Sequence, residues 1–176
     1  MAKGGYTHIY TGDGKGKTTA ALGLCFRAAG HGMSSMIIQF MKGQDTGEIN
    51  AAGMTGGLIS IEQYGSPKLL LDNRPDIFEE HRSGAMKGYN RAMELLKKDE
   101  YRILVLDEIL NLLNFKMIDV QMVIDLIRVK PGHVELILTG RGAPDELVRL
   151  ADLVTEMREI KHYYSEGVKA RKGIEL

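Results

Sequence analysis

The segment "YTHIYTGDGKGKTTAALGLCFRAAG", residues 6–30, restricts the fold of this chain more than any other part of it. A short β-branched and aromatic run leads into a turn with glycine at Gly12, Gly14 and Gly16. Gly-Lys-Thr then opens a run of helical period, which Gly30 and Gly32 stop. A strand, a glycine turn and a helix in that order make a phosphate cradle. The glycines let successive backbone N–H groups point into one concavity, and the positive end of the helix dipole adds to the pull on an anion. Gly12, Asp13, Gly14, Lys15, Gly16, Lys17, Thr18 and Thr19 are therefore the candidate nucleotide loop. Lys17 is expected to reach phosphate oxygens as a mobile cation, and the Thr18 hydroxyl to ligate magnesium. Lys15 reads equally as a phosphate contact or an exposed lysine, and Asp13 is expected to turn outward and bond the loop backbone. The common form of this loop, G-x-x-x-x-G-K-[ST], has glycine where this chain has Thr11.

Apolar runs alternate with helical segments along the rest of the chain. Strands are predicted over residues 6–11, 35–40, 58–64, 102–109 and 134–141, with a weaker one over 153–157; the clearest helices fall near 76–98 and 117–128. Strands that are apolar on both faces and separated by helices belong to a mostly parallel sheet covered on each side. The expected fold is α/β, a parallel sheet flanked by helices in one P-loop nucleotide-binding domain spanning residues 1–176. The stretch "YGSPKLLLDNRPD" (64–76), with its glycine and two prolines, reads as a long loop of the kind where substrates dock.

Charge excludes some partners. With 23 basic and 23 acidic residues the chain has no global field that favours nucleic acid or an anionic membrane. The single cysteine, Cys25, lies in an apolar helical run, which fits a packed thiol in a reducing compartment. No run has signal-peptide or membrane-span length, so a soluble cytoplasmic protein is expected. His8, His31, His81, His133 and His162 lack close metal-ligand spacing, and the ten methionines are dispersed as core fillers would be.

A phosphate loop needs a carboxylate at a neighbouring strand end. "RILVLDEI" supplies Asp107 and Glu108, one of which should hold magnesium directly or through water. "LTGRGAP" (138–144) offers a third strand end at the same sheet edge, where ligands of open α/β sheets bind. Its Arg141 reads as a phosphate contact or a surface ion pair. The generic chemistry of such a site is transfer of the γ-phosphoryl group by a small phosphotransferase or ATPase. A nucleotide-gated binding module without turnover is a third class.

The combination "TGDGKGKTTAALGLCFRAAGHG", "IIQFMKG", "LVLDEI", "PGHVELILTGRGAPDELVRLADLVTEM" and "KHYYSEGVKARKGIEL" is similar, through nearly the whole chain, to the ATP:corrinoid adenosyltransferases of the cob(I)yrinic acid a,c-diamide type. The altered glycine loop is that family's own version. The resemblance implies a reaction at carbon. A corrinoid held as cobalt(I) attacks the 5′ carbon of ATP, forms a cobalt–carbon bond and expels triphosphate, which lies in the loop in the reverse of the usual sense. It places the ATP loop on Gly12 to Thr19, the magnesium hydroxyl on Thr18 and the acidic metal partner on Glu108. Lys17 and Arg141 stand among the ATP contacts, and Lys17, Thr18 and Glu108 carry the catalytic roles. It further implies a homodimer and an electron-donating flavoprotein. Relatives place aromatic residues in the segment corresponding to 64–75, to displace the lower axial ligand of cobalt. This chain has no tryptophan and offers Leu69, Leu70 and Leu71 there, as corrinoid contacts or as plain packing. The N-terminal segment that covers the site in longer relatives is nearly absent ahead of Tyr6, which leaves site closure open.

Overall fold

The computed structural model describes residues 4–68, 70 and 74–175. Six strands, β1 (Thr7–Thr11), β2 (Ser35–Phe40), β3 (Ile59–Tyr64), β4 (Ile103–Asp107), β5 (Glu135–Thr139) and β6 (Leu153–Glu156), pair in the order β3-β2-β4-β5-β1-β6, every neighbour parallel. Between them run α1 (Lys17–Ala29), α2 (Gly47–Gly53), α3 (Pro75–Lys98), α4 (Ile109–Asn114), α5 (Val120–Val129) and α6 (Asp145–Leu150). A 3₁₀ turn, Tyr163–Glu166, lies in the C-terminal segment.

Alternation along the strands decides which helices cover which face. Met36, Ile38, Phe40, Leu104, Leu106, Leu136 and Leu138 point into one core, with Ala85, Ala92 and Leu95 of α3, Leu112 of α4, Val123 and Leu126 of α5 and Leu147 of α6. Ile37, Ile59, Ile103, Val105 and Ile137 point into the other, with Ala21, Cys25 and Ala28 of α1 and Ala52 of α2. Chain order explains the split. The connections β1→β2 and β2→β3 move one way across the sheet and the later ones move the other way, so right-handed crossovers put their helices on opposite faces. Cys25 is fully buried, and burial pushes its thiol up to about 11, the behaviour of a packing residue.

α3 shows how spacing becomes packing. Ile77, His81, Ala85, Gly88, Ala92, Leu95 and Leu96 recur every three or four residues and are its buried stripe. Pro75 opens it, and Lys97 and Lys98 favour the negative end of its dipole. At Gly88 the helix presses on the sheet: an added Cβ would stand 2.5 Å from Phe40 Cε1 and 3.1 Å from Tyr64 Cβ. Gly88→Ala is expected to lose about 1–3 kcal/mol by overpacking, read as a lowered midpoint in thermal denaturation. An unchanged midpoint would mean that α3 sits further from β2.

The same helix is tied to β3 by Arg91, whose Nε and Nη2 donate to Glu62 at 3.0 and 2.9 Å, while Tyr64 donates its hydroxyl to Glu62 at 2.8 Å. The Arg91 guanidinium, first among the causes, holds the Glu62 carboxyl below its ordinary value against the opposing effect of burial. A depressed carboxylate contributes stability above its unfolded pKa and loses it as pH falls through its folded one. The half-exposed pair is worth about 0.5–1 kcal/mol. Glu62→Gln should therefore cost that much at neutral pH, with the gap to wild type closing below about pH 4 in denaturant titrations.

The predicted strands at 102–109 and 134–141 end early, at Asp107 and Thr139, because Glu108 adopts φ 66° and Gly140 φ 139°. Neither conformation continues a strand. The predicted helix at 117–128 starts later, at Val120, and a separate short helix, α4, precedes it. β6 is an exposed edge strand rather than one buried on both faces.

Candidate active site

Because every strand is parallel, the carboxyl ends of β1, β2, β4 and β5 meet at one edge, where the candidate residues collect. The loop after β1 is held from the side by the chain leaving β6. Met157 N donates to Thr11 O at 2.8 Å and Gly14 N to Met157 O at 2.7 Å. That close approach explains glycine at position 12: its φ is 96°, and a Cβ there would lie 2.5 Å from Met157 O.

Lys17 folds back into the loop it follows. Its buried ammonium donates to Gly12 O at 2.6 Å and Gly14 O at 2.8 Å. Desolvation lowers its pKa from the ordinary lysine value, and Glu108 opposes the shift. Thr18 donates its hydroxyl to Asp107 Oδ1 at 2.8 Å. Asp107 is fully buried and accepts further bonds from Thr139 Oγ1 at 2.7 Å, Lys42 Nζ at 3.3 Å and Gln39 Nε2 at 3.4 Å. The next residue, Glu108, takes a left-handed conformation that few non-glycine residues adopt. Its N–H donates to Thr139 Oγ1 at 2.9 Å, and its carboxylate accepts from the Asn111 side chain. Burial first, then the nearby Asp107, raises the Glu108 pKa, with Lys42, Lys17 and Arg141 opposing. Hard carboxylate oxygens beside a threonine hydroxyl are a donor set suited to magnesium, which keeps waters and phosphate oxygens as its remaining ligands.

Two cavities adjoin at this edge, sharing Lys15, Lys17, Lys42, Glu108 and His162 as lining. One, of about 450 Å³, runs over Thr18, Thr19 and Leu22 towards Glu48 and the C-terminal residues Gly173, Ile174 and Glu175. The other, of about 490 Å³, extends past Phe40, Met41 and Phe115 to Asn111, Asn114 and Arg141. The chain thus puts cations and loop amides next to a partly apolar hollow.

Several expectations change in detail. Asp13 does turn outward, but towards Arg141, 3.7 Å away, rather than onto the loop backbone. That pair is exposed, and Arg141 also lines the second cavity, so both readings of Arg141 keep a structural basis. Lys15 is not free in solvent: it lines both cavities, and its ammonium is bound to the C-terminal segment. Leu70 packs against the core that includes α3 and lines neither cavity, while Leu69 and Leu71 lie outside the described residues. Among the described residues no cluster of three or more His, Cys, Asp or Glu is placed to hold a metal by itself. His81 is buried, bonding the Ser66 N–H at 3.4 Å and Lys68 O at 3.0 Å. Sequence reasoning missed Lys42, Gln39, Glu48, Thr139 and Asn111. For all but Glu48, which lies in the first turn of α2, the one legible signal was position at the end of an apolar strand or a few residues past it, as in "IIQFMKG".

The family model for ATP:corrinoid adenosyltransferase BtuR/CobO/CobP matches residues 3–176. The chain belongs to that family. Corrinoid adenosyltransferase CobA of Salmonella typhimurium strain LT2 is 33% identical over 168 residues, covering 95% of this chain and 83% of that protein. A corrinoid adenosyltransferase from Sinorhizobium sp is 36% identical over 176 residues, covering 96% of this chain and 78% of its own length. Among solved structures, a KaiC-like protein from the hyperthermophilic archaeon Pyrococcus horikoshii OT3 aligns with a TM-score of 0.57 at 18% identity, covering 90% of this chain and 75% of that one. That likeness concerns the fold alone. No helix among the described residues is long and apolar enough to cross a membrane.

Proposed function

We propose that the edge built by β1, β2, β4 and β5 is where this adenosyltransferase holds ATP and a corrinoid for transfer of the 5′-deoxyadenosyl group. The observation that carries this reading is the pair of adjoining cavities: one bordered by Thr18 and Thr19, the other by Phe40, Met41 and Phe115, with Lys17 and Glu108 common to both. A triphosphate needs the cations and loop amides of this edge, and a flat ring needs apolar side chains such as Phe40, Met41 and Phe115 beside them.

In the reaction, cobalt(I) supplies the electron pair of the new cobalt–carbon bond. The 5′ carbon–oxygen bond breaks, and its pair leaves on triphosphate. No proton need be removed, so the site requires no general base. The chain's task is to neutralise the leaving group and align it. Lys17 and the amides of Gly12 to Thr19 serve the first purpose, each preorganised donor being worth about 3 kcal/mol at developing charge. Thr18 with Asp107 and Glu108 would hold magnesium, which supplies further charge neutralisation on the phosphates. Phe40, Met41 and Phe115 exclude water from the side facing the corrinoid, and Arg141 stands where it can meet a phosphate. The segment 64–75, with Leu69 and Leu71, is the proposed route for further apolar contact with the corrinoid, Leu70 being taken up in packing against the core. The working enzyme is proposed to be a cytoplasmic homodimer served by an electron-donating flavoprotein.

Product identity tests the reading. Incubation with ATP, magnesium and cobinamide reduced chemically to cobalt(I) should yield inorganic triphosphate and a light-sensitive alkylcobalt product in equal amounts. ADP with no alkylcobalt product would instead mean a phosphotransferase or ATPase.

A further inference from the structure

Lys15 occupies a loop position and lines both cavities, yet its ammonium has three acceptors in the C-terminal segment. These are Glu175 Oε1 at 2.7 Å, Tyr163 Oη at 3.0 Å and Ile174 O at 3.3 Å. The acceptors are themselves organised. Arg171 donates its backbone N–H to Glu175 Oε2 at 2.8 Å and its Nη2 to Oε1 at 3.1 Å. The Tyr163 hydroxyl donates to the same carboxylate, and the Arg171 guanidinium lies 4.8 Å from the centre of the Tyr163 ring. Among the described residues, every hydrogen bond between residues 158–175 and the rest of the chain ends on Lys15. The segment so held brings Gly173, Ile174 and Glu175 into the wall of the 450 Å³ cavity that Thr18, Thr19 and Leu22 also line.

We propose that Lys15 is a latch rather than a phosphate ligand: it closes the C-terminal segment 163–175 over the nucleotide cavity, and closure and ATP binding favour each other. The proposal rests on the loop being the ATP site. Contacting phosphate would require Lys15 to abandon three bonds, and the loop already has Lys17 in its interior. A segment fastened at one point opens locally at small cost, since exposed ion pairs are individually weak. ATP that touches the closed wall shifts that local equilibrium, and by reciprocity the latch raises affinity for ATP. A latch of this kind acts on binding and leaves the chemical step largely untouched, unlike a donor to the departing triphosphate.

The test compares wild type, Lys15→Met, Glu175→Gln and the double variant; Lys15 and Glu175 lie outside both cores, so folding is checked by an unchanged melting midpoint. Amide hydrogen exchange of residues 163–175 is measured without nucleotide, and kcat and the KM for ATP are measured in adenosyl transfer. Each single variant should speed exchange in that segment and raise the KM for ATP about 5- to 10-fold, with kcat little changed. The double variant should resemble the singles, because both remove one connection. Lys15→Met lowering kcat steeply while Glu175→Gln behaves as wild type would overturn the latch in favour of a phosphate contact. Exchange unaltered by Lys15→Met would overturn it too. If wild type makes no alkylcobalt product, the adenosyl reading fails; exchange, and ATP affinity measured by equilibrium dialysis, then judge the latch by themselves.

Discussion

Lys17→Ala is expected to lower adenosyl transfer at least ~100-fold in kcat, the loss typical of removing a preorganised donor from developing negative charge. The ammonium is buried at the mouth of α1 and held between two loop carbonyls, Gly12 O and Gly14 O, so on the proposed reading its charge is already desolvated and fixed in the loop. Water admitted by the truncation would have to reorganise around the departing triphosphate, which costs what the fixed cation avoids. Arginine is a poor substitute, because its planar fork does not fit where a single nitrogen meets both carbonyls. The measurement is single-turnover formation of alkylcobalt product together with released triphosphate, using saturating ATP to separate chemistry from binding. Turnover at the wild-type rate would remove Lys17 from the mechanism and, with it, the assignment of the loop.

Asp107→Ala should be nearly as damaging, but through stability as well as activity. The carboxylate is fully buried and ties its own strand, β4, to three other elements: Thr18 from α1, Gln39 from the end of β2, with Lys42 just beyond it, and Thr139 from the end of β5. Removing it strands their donors in the interior, a loss on the order of 3 kcal/mol. For a chain of this size that lowers the melting midpoint by roughly 6–12 °C. Asp107→Asn keeps the shape and part of the bonding, so it should recover much of the midpoint while activity stays low, the carboxylate beside Thr18 being gone. Full activity in Asp107→Asn would show that Glu108 alone serves the metal. A midpoint equal to wild type in Asp107→Ala would deny the buried junction.

The glycine turn ahead of α1 was legible because its conformation is local. Glycines 12, 14 and 16, Lys17 and Thr18 are consecutive, and their backbone conformation follows from the residues themselves. Strand and helix identity was legible for the same reason, through hydrophobic period. The end of β4 was less so. "LVLDEI" marks two acids, but only packing distinguishes them: Asp107 stays in strand geometry and turns inward onto Thr18 and Thr139, whereas Glu108 leaves the strand with φ 66° and faces both cavities. Lys42 could not be found by pattern, since its buried partner Asp107 is 65 residues away and meets it only once β2 and β4 pair.

By itself, then, the sequence determined what depends on near neighbours: the alternation that makes a covered parallel sheet, the glycine turn before α1, and the family motifs that specify transfer of an adenosyl group. Tertiary structure alone decided what depends on distant residues arriving at one edge. It made Asp107 the junction of four elements, and it turned Lys15 from the loop towards Glu175, 160 residues further on. The physical reason is that backbone conformation and periodicity are set within a few residues, whereas the partner of a charged side chain is set by which strand ends the sheet brings together.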